Sequence, residues 1–209
     1  MVKLGGPAMS LDASGTVGGI LTFARWKGRP YVRTRVIPSN PKTAAQQAVR
    51  AVMKFLAQQW THISTIDQNT WDAGADAKKI SAFNQYSSVN LANWRDFLPP
   101  SKNAALERDS AAAAITGSVP SDEGRYAQSV LTLAAGPFNW GVIVYLSDTD
   151  GFVPNWNNAR LLQQATGGGD TTINIGPLPA GIYYLRYHSF SINGLLNQTY
   201  ITQDSVTIA

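Results

Sequence analysis

The spacing of apolar residues changes twice along the 209-residue chain, and this feature constrains the fold most. From Ile20 to Ile37, β-branched and aromatic residues alternate with basic ones around a glycine-containing turn, which predicts a β-hairpin. From Thr43 to Trp94, apolar residues recur every three or four positions, as in amphipathic helices. A period of two returns at Ala127, in short segments separated by turn residues. The sequence therefore predicts an α+β fold.

The turn of the hairpin leaves two registers open. A two-residue turn at Lys27-Gly28 and a three-residue turn that includes Arg29 bring opposite faces of the strands together. In either register, Arg33 and Arg35 share one face of the second strand. Because an isolated hairpin is only marginally stable in water, we expect it to pack against another element.

Three helices are expected after the hairpin. Thr43 and Gln46 fit a capping box at the start of the first helix. The second and third helices are predicted to begin after Ser64 and Ser81. Each helix carries one tryptophan on its apolar side: Trp60, Trp71 and Trp94. Burying an indole stabilises by roughly 2 to 3 kcal/mol, so we expect the helices to close a small core of their own.

The C-terminal segments predict a β-sandwich. Strands are expected at residues 127–134, 140–146, 171–175, 181–190 and 200–208. The run Leu178-Pro179-Ala180-Gly181, followed by Tyr183, resembles the tyrosine corner of fibronectin type III-like modules. Trp140 lies on the expected third strand, where such modules bury an aromatic side chain. We therefore expect a fibronectin III/Ig-like sandwich.

These patterns predict two domains and their connections. Residues 1–19 are rich in Gly, Ser and Ala and are interpreted as an extended arm that orders against a neighbour. Residues 20–99 form the basic hairpin and the three-helix unit. Residues 100–116 form a linker, and residues 117–209 form the sandwich.

Charge is distributed unevenly between the two halves. The first 60 residues contain nine basic residues and one acidic residue, Asp12. After Pro100, eight acidic residues outnumber five basic ones. This asymmetry predicts two domains with different partners. The few charged residues and the abundance of Thr, Asn, Ser, Gln and Gly favour a β-rich extracellular or virion protein over a charged cytosolic enzyme.

Residues that could carry catalysis are sparse. The chain has no cysteine, and His62 and His188 are isolated from other potential ligands. Asp148-Thr149-Asp150-Gly151 resembles the opening of a calcium loop but lacks the later ligands. Gly167-Gly168-Gly169 lacks the Lys-Ser/Thr pair and the helix of a phosphate-binding loop. We therefore expect no enzymatic activity, no metal site and no cofactor.

No targeting or membrane segment is evident in the sequence. Residues 1–7 lack the apolar stretch of a signal peptide, and no apolar run reaches membrane-spanning length. We expect a soluble protein without a membrane partner that does not use the ordinary secretory route.

The basic hairpin is the candidate partner-binding surface. Its site residues are Arg25, Trp26, Lys27, Arg29, Tyr31, Arg33 and Arg35. One interpretation places these cations on a solvated face. However, acidic residues are almost absent nearby, so local ion pairs do not neutralise them, and an external partner is expected. An acidic protein surface is the favoured partner, and nucleic acid, bound through phosphates and base stacking, is the alternative.

The N-terminal half resembles a family of phage and prophage proteins of largely unassigned function. The resemblance depends on Ser14-Gly15-Thr16-Val17-Gly18-Gly19, Trp26-Lys27-Gly28, Tyr31-Val32-Arg33, and Asn40-Pro41-x-Thr43-x-x-Gln46-Gln47-Ala48-Val49-Arg50 with Trp60 at the helix end. It covers about the first 95 residues, and many members similarly carry a fibronectin- or Ig-like C-terminal domain. Members often have Gln-Arg before the second-helix tryptophan, where this chain has Gln68-Asn69-Thr70-Trp71, so no role of that arginine is transferred.

This resemblance implies a structural component of a bacteriophage virion. Such a protein would be an accessory capsid or decoration protein, a neck protein or a tail-associated protein, present in multiple copies. Its N-terminal half would dock on neighbouring virion proteins, and its sandwich would project outward. The alternative is a nucleic-acid-binding virion protein that contacts the packaged genome through the hairpin. A third hypothesis, a glycan-binding module, is based on Trp156 and nearby loop aromatics.

Overall fold

The computed structural model of the protein is an α+β fold, as the apolar pattern predicts. It describes residues 3–4, 13–27, 29–37, 39–40, 42–96, 98–104, 112–136, 139–165, 168–197 and 202–209. The chain divides into two compact units, Met1–Pro41 and Lys42–Ala209. The sequence pattern instead predicts that the hairpin and the helices form one unit, with a linker to the C-terminal domain at residues 100–116. The structure differs because the helices and the C-terminal strands share one core.

The first unit is a four-stranded antiparallel sheet in the order β1-β2-β3-β4. Its strands are β1 (Lys3–Leu4), β2 (Ala13–Val17), β3 (Leu21–Trp26) and β4 (Arg29–Thr34). Trp26 pairs with Arg29, which selects the two-residue turn of the two alternatives. Lys27 in this turn has a φ of 48°, as turns that match the twist of a hairpin require.

Residues 13–17 were expected to belong to an extended arm, but they form strand β2. The reversal between β2 and β3 contains Gly18 and Gly19, which have φ values of 58° and 70°. Glycine adopts this backbone conformation without steric cost, so a glycine-rich segment can turn back and pair. The remaining arm residues 1–2 and 5–12 lie outside the described residues.

The second unit begins with four helices rather than the expected three. They are α1 (Ala44–Trp60), α2 (Thr65–Asn69), α3 (Asp72–Lys78) and α4 (Ala82–Arg95). The three predicted N-caps are confirmed, because side-chain oxygens of Thr43, Ser64 and Ser81 accept bonds from backbone N–H groups in the first turns. The expected second helix is divided near Trp71, where α2 ends and α3 begins. None of the helices described is both long and apolar enough to cross a membrane.

The rest of the second unit contains two antiparallel sheets. Their strands are β5 (Ile115–Asp122), β6 (Ala127–Leu133), β7 (Asn139–Ser147), β8 (Ala159–Gln164), β9 (Asp170–Ile175), β10 (Gly181–Ser191), β11 (Leu196–Asn197) and β12 (Asp204–Ile208). One sheet has the order β5-β6-β9. The other has the order β11-β10-β7-β8, and β12 also pairs with β10. β5, β8 and β11 were not predicted.

Side chains of both sheets share one apolar core. Leu131 and Ile173 from the first sheet belong to the same buried cluster as Val144 and Leu185 from the second. Across this core, the Tyr187 hydroxyl donates a hydrogen bond of 2.9 Å to Ser129 Oγ. The two sheets are therefore held together by apolar burial and a buried polar contact.

The helices do not close a separate core; they share one with the β7-β10 sheet. The Phe55 ring of α1 meets Trp140 of β7 with a centroid separation of 5.0 Å and Phe190 of β10 at 5.6 Å. Trp140 is buried, as expected, but on the helix side of the sheet, where its Nε1 donates to Gln59 Oε1 at 3.2 Å. Trp94 also packs outside the helical group, because its ring lies 4.4 Å from that of Trp156.

The first residues of the expected linker are bound to this unit. Asn90 Oδ1 accepts a hydrogen bond from the Ser101 N–H at 2.7 Å, and Asn90 Nδ2 donates to the Ser101 carbonyl at 3.1 Å. Lys102 donates its N–H to the Ile192 carbonyl at 2.7 Å. These contacts attach residues 101–102 to both the helices and the strands, and residues 105–111 lie outside the described residues.

Candidate docking surface on the first unit

One face of the β3-β4 hairpin combines aromatic and cationic residues. Two pairs of opposed residues, Ala24 with Tyr31 and Thr22 with Arg33, share this face with Trp26, whose partner in the backbone register is Arg29. Residues directly opposite each other on antiparallel strands project to the same side. Strand β2 extends this face, because Thr16 Oγ1 lies 3.4 Å from Thr22 Oγ1. We call it the mixed face.

The opposite face of the same sheet is apolar. It carries Val17 and Leu21, which are paired across β2 and β3, and Phe23 and Val32, which are paired across β3 and β4. Val17, Leu21 and Val32 expose 42%, 39% and 48% of their surface, and Phe23 is half-buried. Arg25 lies at the turn end of this face. We call it the apolar face.

No side chain that the structure describes in the first unit is buried. On the mixed face Trp26 is 65% exposed, and beyond β4 Val36 and Ile37 are 73% and 76% exposed. Small sheets normally require a covered apolar face for independent stability. The first unit therefore presents apolar surface that its own residues do not bury.

The cations of the hairpin occupy different places on the sheet. The Lys27 Nζ lies 4.9 Å from the centre of the Trp26 ring, within the range of a cation–π contact. Arg33 lies on the mixed face. Arg35 follows the end of β4, where its N–H donates to the Ile20 carbonyl at 2.6 Å. The seven predicted site residues thus share one hairpin but do not form one continuous row.

The charge and aromatic content of the sequence predicts the mixed face but not the apolar face. Val17, Leu21, Phe23 and Val32 do alternate with the residues of the mixed face in the sequence. Their grouping depends on the register, which was open between two turns. Once Trp26 is paired with Arg29, the alternation places all four residues together.

The two histidines differ in their exposure and packing. His62 is exposed just after α1, whereas His188 on β10 packs edge-on against Tyr145 with a centroid distance of 5.1 Å. Burial, with a smaller contribution from the nearby Arg186 charge, lowers the pKa of His188 from its ordinary 6.5 to about 4. Across the part of the chain that is described, no three His, Cys, Asp or Glu side chains are placed to hold a metal ion.

The tryptophan of the glycan-binding hypothesis is not on an open surface. Trp156 is only 9% exposed, and its ring packs against that of Trp94. A sugar-stacking platform needs an accessible aromatic face. The structure therefore favours a packing role for Trp156.

Comparison with known proteins assigns neither a family nor a function to the chain. No protein-family model matches the chain, and no curated protein matches it. A functional hypothesis for the chain therefore depends on the residues described above, and first on the two exposed faces of the β3-β4 hairpin.

Proposed function

We propose that the protein is a structural component of a bacteriophage virion that docks on neighbouring virion proteins through its first unit. It would serve as an accessory capsid or decoration protein, a neck protein or a tail-associated protein, and no catalytic step belongs to this role. The observation that carries the proposal is the exposure of both faces of the hairpin, without one buried side chain among those described in this unit. The phage-like residue pattern of the N-terminal half supplies the virion context.

Covering the apolar face supplies most of the favourable free energy of docking. Val17, Leu21, Phe23 and Val32 are partly exposed, so a partner that covers them would gain on the order of 1 kcal/mol from each. Trp26 on the mixed face offers a larger apolar area and is of a type enriched at interfaces. A partner surface with an apolar centre fits both faces.

The edge of the sheet offers a second mode of contact. β4 is the terminal strand in the order β1-β2-β3-β4. A terminal strand can accept an extended segment of another chain through backbone hydrogen bonds. Pro30 within β4 is compatible with an edge position. Strand addition at this edge would fix the orientation of the docked unit.

The charge of the first unit selects the partner. Residues 1–41 contain six basic residues and a single acidic one, Asp12, which lies outside the described residues. Lys27, Arg33 and Arg35 therefore favour an acidic surface on the neighbouring protein. Multiple copies on a symmetric particle would convert a modest single contact into stable attachment.

The β-rich part of the second unit is proposed to be a fibronectin III/Ig-like sandwich. Without the two-residue β11, its first, second and fifth strands form one sheet and its third, fourth, sixth and seventh form the other. Ig constant-type domains have this division except that their fourth strand joins the first sheet. The Tyr183 hydroxyl donates to the Pro179 carbonyl at 3.0 Å, which supports a tyrosine corner. With the helices covering one sheet, the whole second unit would be the projecting body.

Nucleic acid remains the alternative partner of the same surface. The exposed Trp26 beside Lys27 is the observation that favours it, because single-stranded nucleic acids stack bases on aromatics within a cationic surface. Binding to packaged DNA would weaken steeply with salt, and Arg33→Ala with Arg35→Ala would reduce that salt dependence. A shallow salt dependence that both substitutions leave unchanged would exclude this partner.

Incorporation of tagged chain into particles tests the docking role. The substitution Val32→Asp places a carboxylate on the apolar face. Because this charge must be desolvated on docking, we expect the particle-bound fraction to fall by more than about tenfold. Arg33→Glu on the mixed face should reduce it less, since it reverses one exposed charge. The readout is the tagged chain that co-sediments with purified particles.

The matched control is Val119→Asp. Val119 is 67% exposed on β5 in the second unit, so the same substitution there should leave incorporation unchanged. Normal incorporation of both hairpin variants would refute docking through the first unit. Absence of the wild-type chain from particles would refute the virion assignment as a whole.

A further inference from the structure

The second unit contains a cleft that the docking role does not use. It lies between α1 and the turn before β10 and encloses about 300 Å³. Its apolar lining consists of Ala51, Leu146, Ile175, Pro177 and Leu178. Its cations are Arg50, Lys54 and Arg160. An apolar lining combined with cations is chemically complementary to a ligand with both apolar and anionic parts.

No acidic residue is among the described residues that line this cleft. A neighbouring hollow of about 410 Å³ shares Gln47, Arg160 and Leu178 with it, and Asp148 is the acidic residue there. Arg160 and Asp148 do not form an ion pair within 4.0 Å in the described structure. The positive charge of the cleft is therefore not balanced by an ion pair at Arg160.

Arg160 is the most constrained of the three cations. It is half-buried on β8, and its Nη1 donates to the carbonyls of Asn157 at 2.9 Å and Ala159 at 3.3 Å. Burial lowers the pKa of its guanidinium. A guanidinium has five N–H donors, and among the described residues the carbonyl partners of Arg160 are bound by Nη1. An incoming carboxylate would both use the remaining donors and compensate the desolvated charge.

The walls of the cleft are held in place before any ligand arrives. The Leu178 N–H donates to the Arg125 carbonyl at 2.8 Å, and Tyr183 holds the Pro179 carbonyl at 3.0 Å. On the opposite wall, Arg50 and Lys54 are four residues apart in α1 and so project from the same side of the helix. A preformed cleft loses little conformational entropy on binding.

We infer that this cleft binds a short acidic peptide segment of a partner protein. An apolar side chain of the segment would occupy the lining around Leu146 and Leu178, and its carboxylates would contact Lys54 and Arg160. A free phosphate fits less well, because it would contact the cations but leave the apolar lining uncovered. This site is a second contact surface, independent of the β3-β4 hairpin.

A randomised hexapeptide array probed with the full-length chain tests the inference. The expected result is enrichment of peptides that combine Asp or Glu with Leu, Ile or Phe. Titration of the most enriched peptide into the isotope-labelled chain should shift the amide signals of Arg50, Lys54 and Leu178 saturably. Its counterpart with Gln and Asn in place of Glu and Asp should bind at least tenfold more weakly.

Two variants locate the site, and one serves as control. Lys54→Glu should weaken peptide binding about 3- to 10-fold, and Arg160→Gln should weaken it at least as much. Lys78→Glu, at an exposed lysine of α3, should leave the affinity unchanged. Because Arg160 also donates to backbone carbonyls, Lys54→Glu keeps the test decisive if Arg160→Gln unfolds the chain.

Four results would overturn the inference. They are an array without acidic enrichment, equal affinity for the neutral counterpart, equal losses in Lys54→Glu and Lys78→Glu, and inorganic phosphate binding as tightly as the peptide. Loss of particle incorporation in Val32→Asp without any change in peptide affinity would confirm that the two surfaces are separate. The docking proposal and this inference therefore fail independently.

Discussion

Strands β3 and β7 are both rich in apolar residues, but β7 is buried whereas β3 is exposed or half-buried. In β7, the run Asn139–Leu146 is buried on both faces, between the β5-β6-β9 sheet on one side and the helices on the other. In β3, Leu21–Trp26 is exposed or half-buried on both faces. β7 is a continuous apolar run, whereas β3 interrupts its apolar residues with Arg25. The comparison indicates that β7 completes a core within the chain, whereas β3 keeps its apolar residues at least partly exposed.

One phenylalanine from each unit shows how much the burial of apolar side chains differs between the helix–sheet core and the hairpin. Phe55 is 1% exposed and contacts Trp140 and Phe190, so its side chain stabilises both the helices and the sheet. Phe23 in the first unit is only half-buried. Removing each ring therefore measures how much the burial of that ring contributes to the stability of its unit.

The largest expected effect is that of Phe55→Ala. It removes a buried aromatic ring and leaves a cavity, so we expect the free energy of unfolding to fall by about 3 to 5 kcal/mol. The matched substitution Phe23→Ala should cost less than about 1 kcal/mol in the isolated chain, since its ring is partly solvated already. Urea denaturation followed by tryptophan fluorescence measures both. Equal losses in the two variants would break the comparison.

A smaller effect is expected from acid. His188 has its pKa lowered to about 4 by burial, so as the pH falls below 6.5 the unfolded chain takes up a proton before the folded chain does. Stability contributed by the neutral imidazole is therefore present above pH 6.5 and is lost between about pH 6.5 and 4, by roughly 1 to 3 kcal/mol. Denaturation at a series of pH values should show this loss in the wild type and a reduced loss in His188→Gln.

The control for the acid experiment is His62→Gln. His62 is exposed after α1, so this variant tests whether a change in the pH profile is specific to the packed histidine of β10. Identical pH profiles for the wild type and His188→Gln would mean that the imidazole is solvated, and β10 would then be less covered than the comparison requires.

The smallest effect is expected from removing the first unit. A chain that begins at Lys42 retains the aromatic core, so its free energy of unfolding should lie within about 0.5 kcal/mol of that of the full chain. Differential scanning calorimetry on the two chains measures this difference. A loss of several kcal/mol would show that residues 1–41 contribute to the core of the second unit and that the two units are not independent.

Local signals predicted much of the fold. The caps at Thr43, Ser64 and Ser81 lie where the sequence places them, because a cap depends on atoms within four residues. The hydrogen bond from the Tyr183 hydroxyl to the Pro179 carbonyl is also local, since the two residues are four positions apart. By contrast, β8 has the sequence Ala-Arg-Leu-Leu-Gln-Gln, which lacks β-branched residues and gives no strand signal of its own.

The candidate docking surface was predicted in part. Charge and aromatic content identified Trp26, Lys27 and Arg33, but the apolar face was not recognised while the register was open. The burial of β7 on both faces could have been expected from its uninterrupted apolar run, which resembles the strands of sheets covered on both sides. The grouping of helices with strands then follows from the need to cover that second face.

The sequence by itself determined the three helix N-caps, the β3-β4 hairpin and the strands β6, β7, β9 and β10, since these depend on neighbours a few residues away. Only the tertiary structure decided which surfaces the elements share. Trp140 was expected to be buried on its strand, and the residue that covers it is Phe55, 85 residues earlier in the chain. Apolar burial has no direction and no sequence range, so one apolar side chain can be covered by any element that reaches it. For the same reason the β3-β4 hairpin remains exposed: no described residue of its own unit covers it.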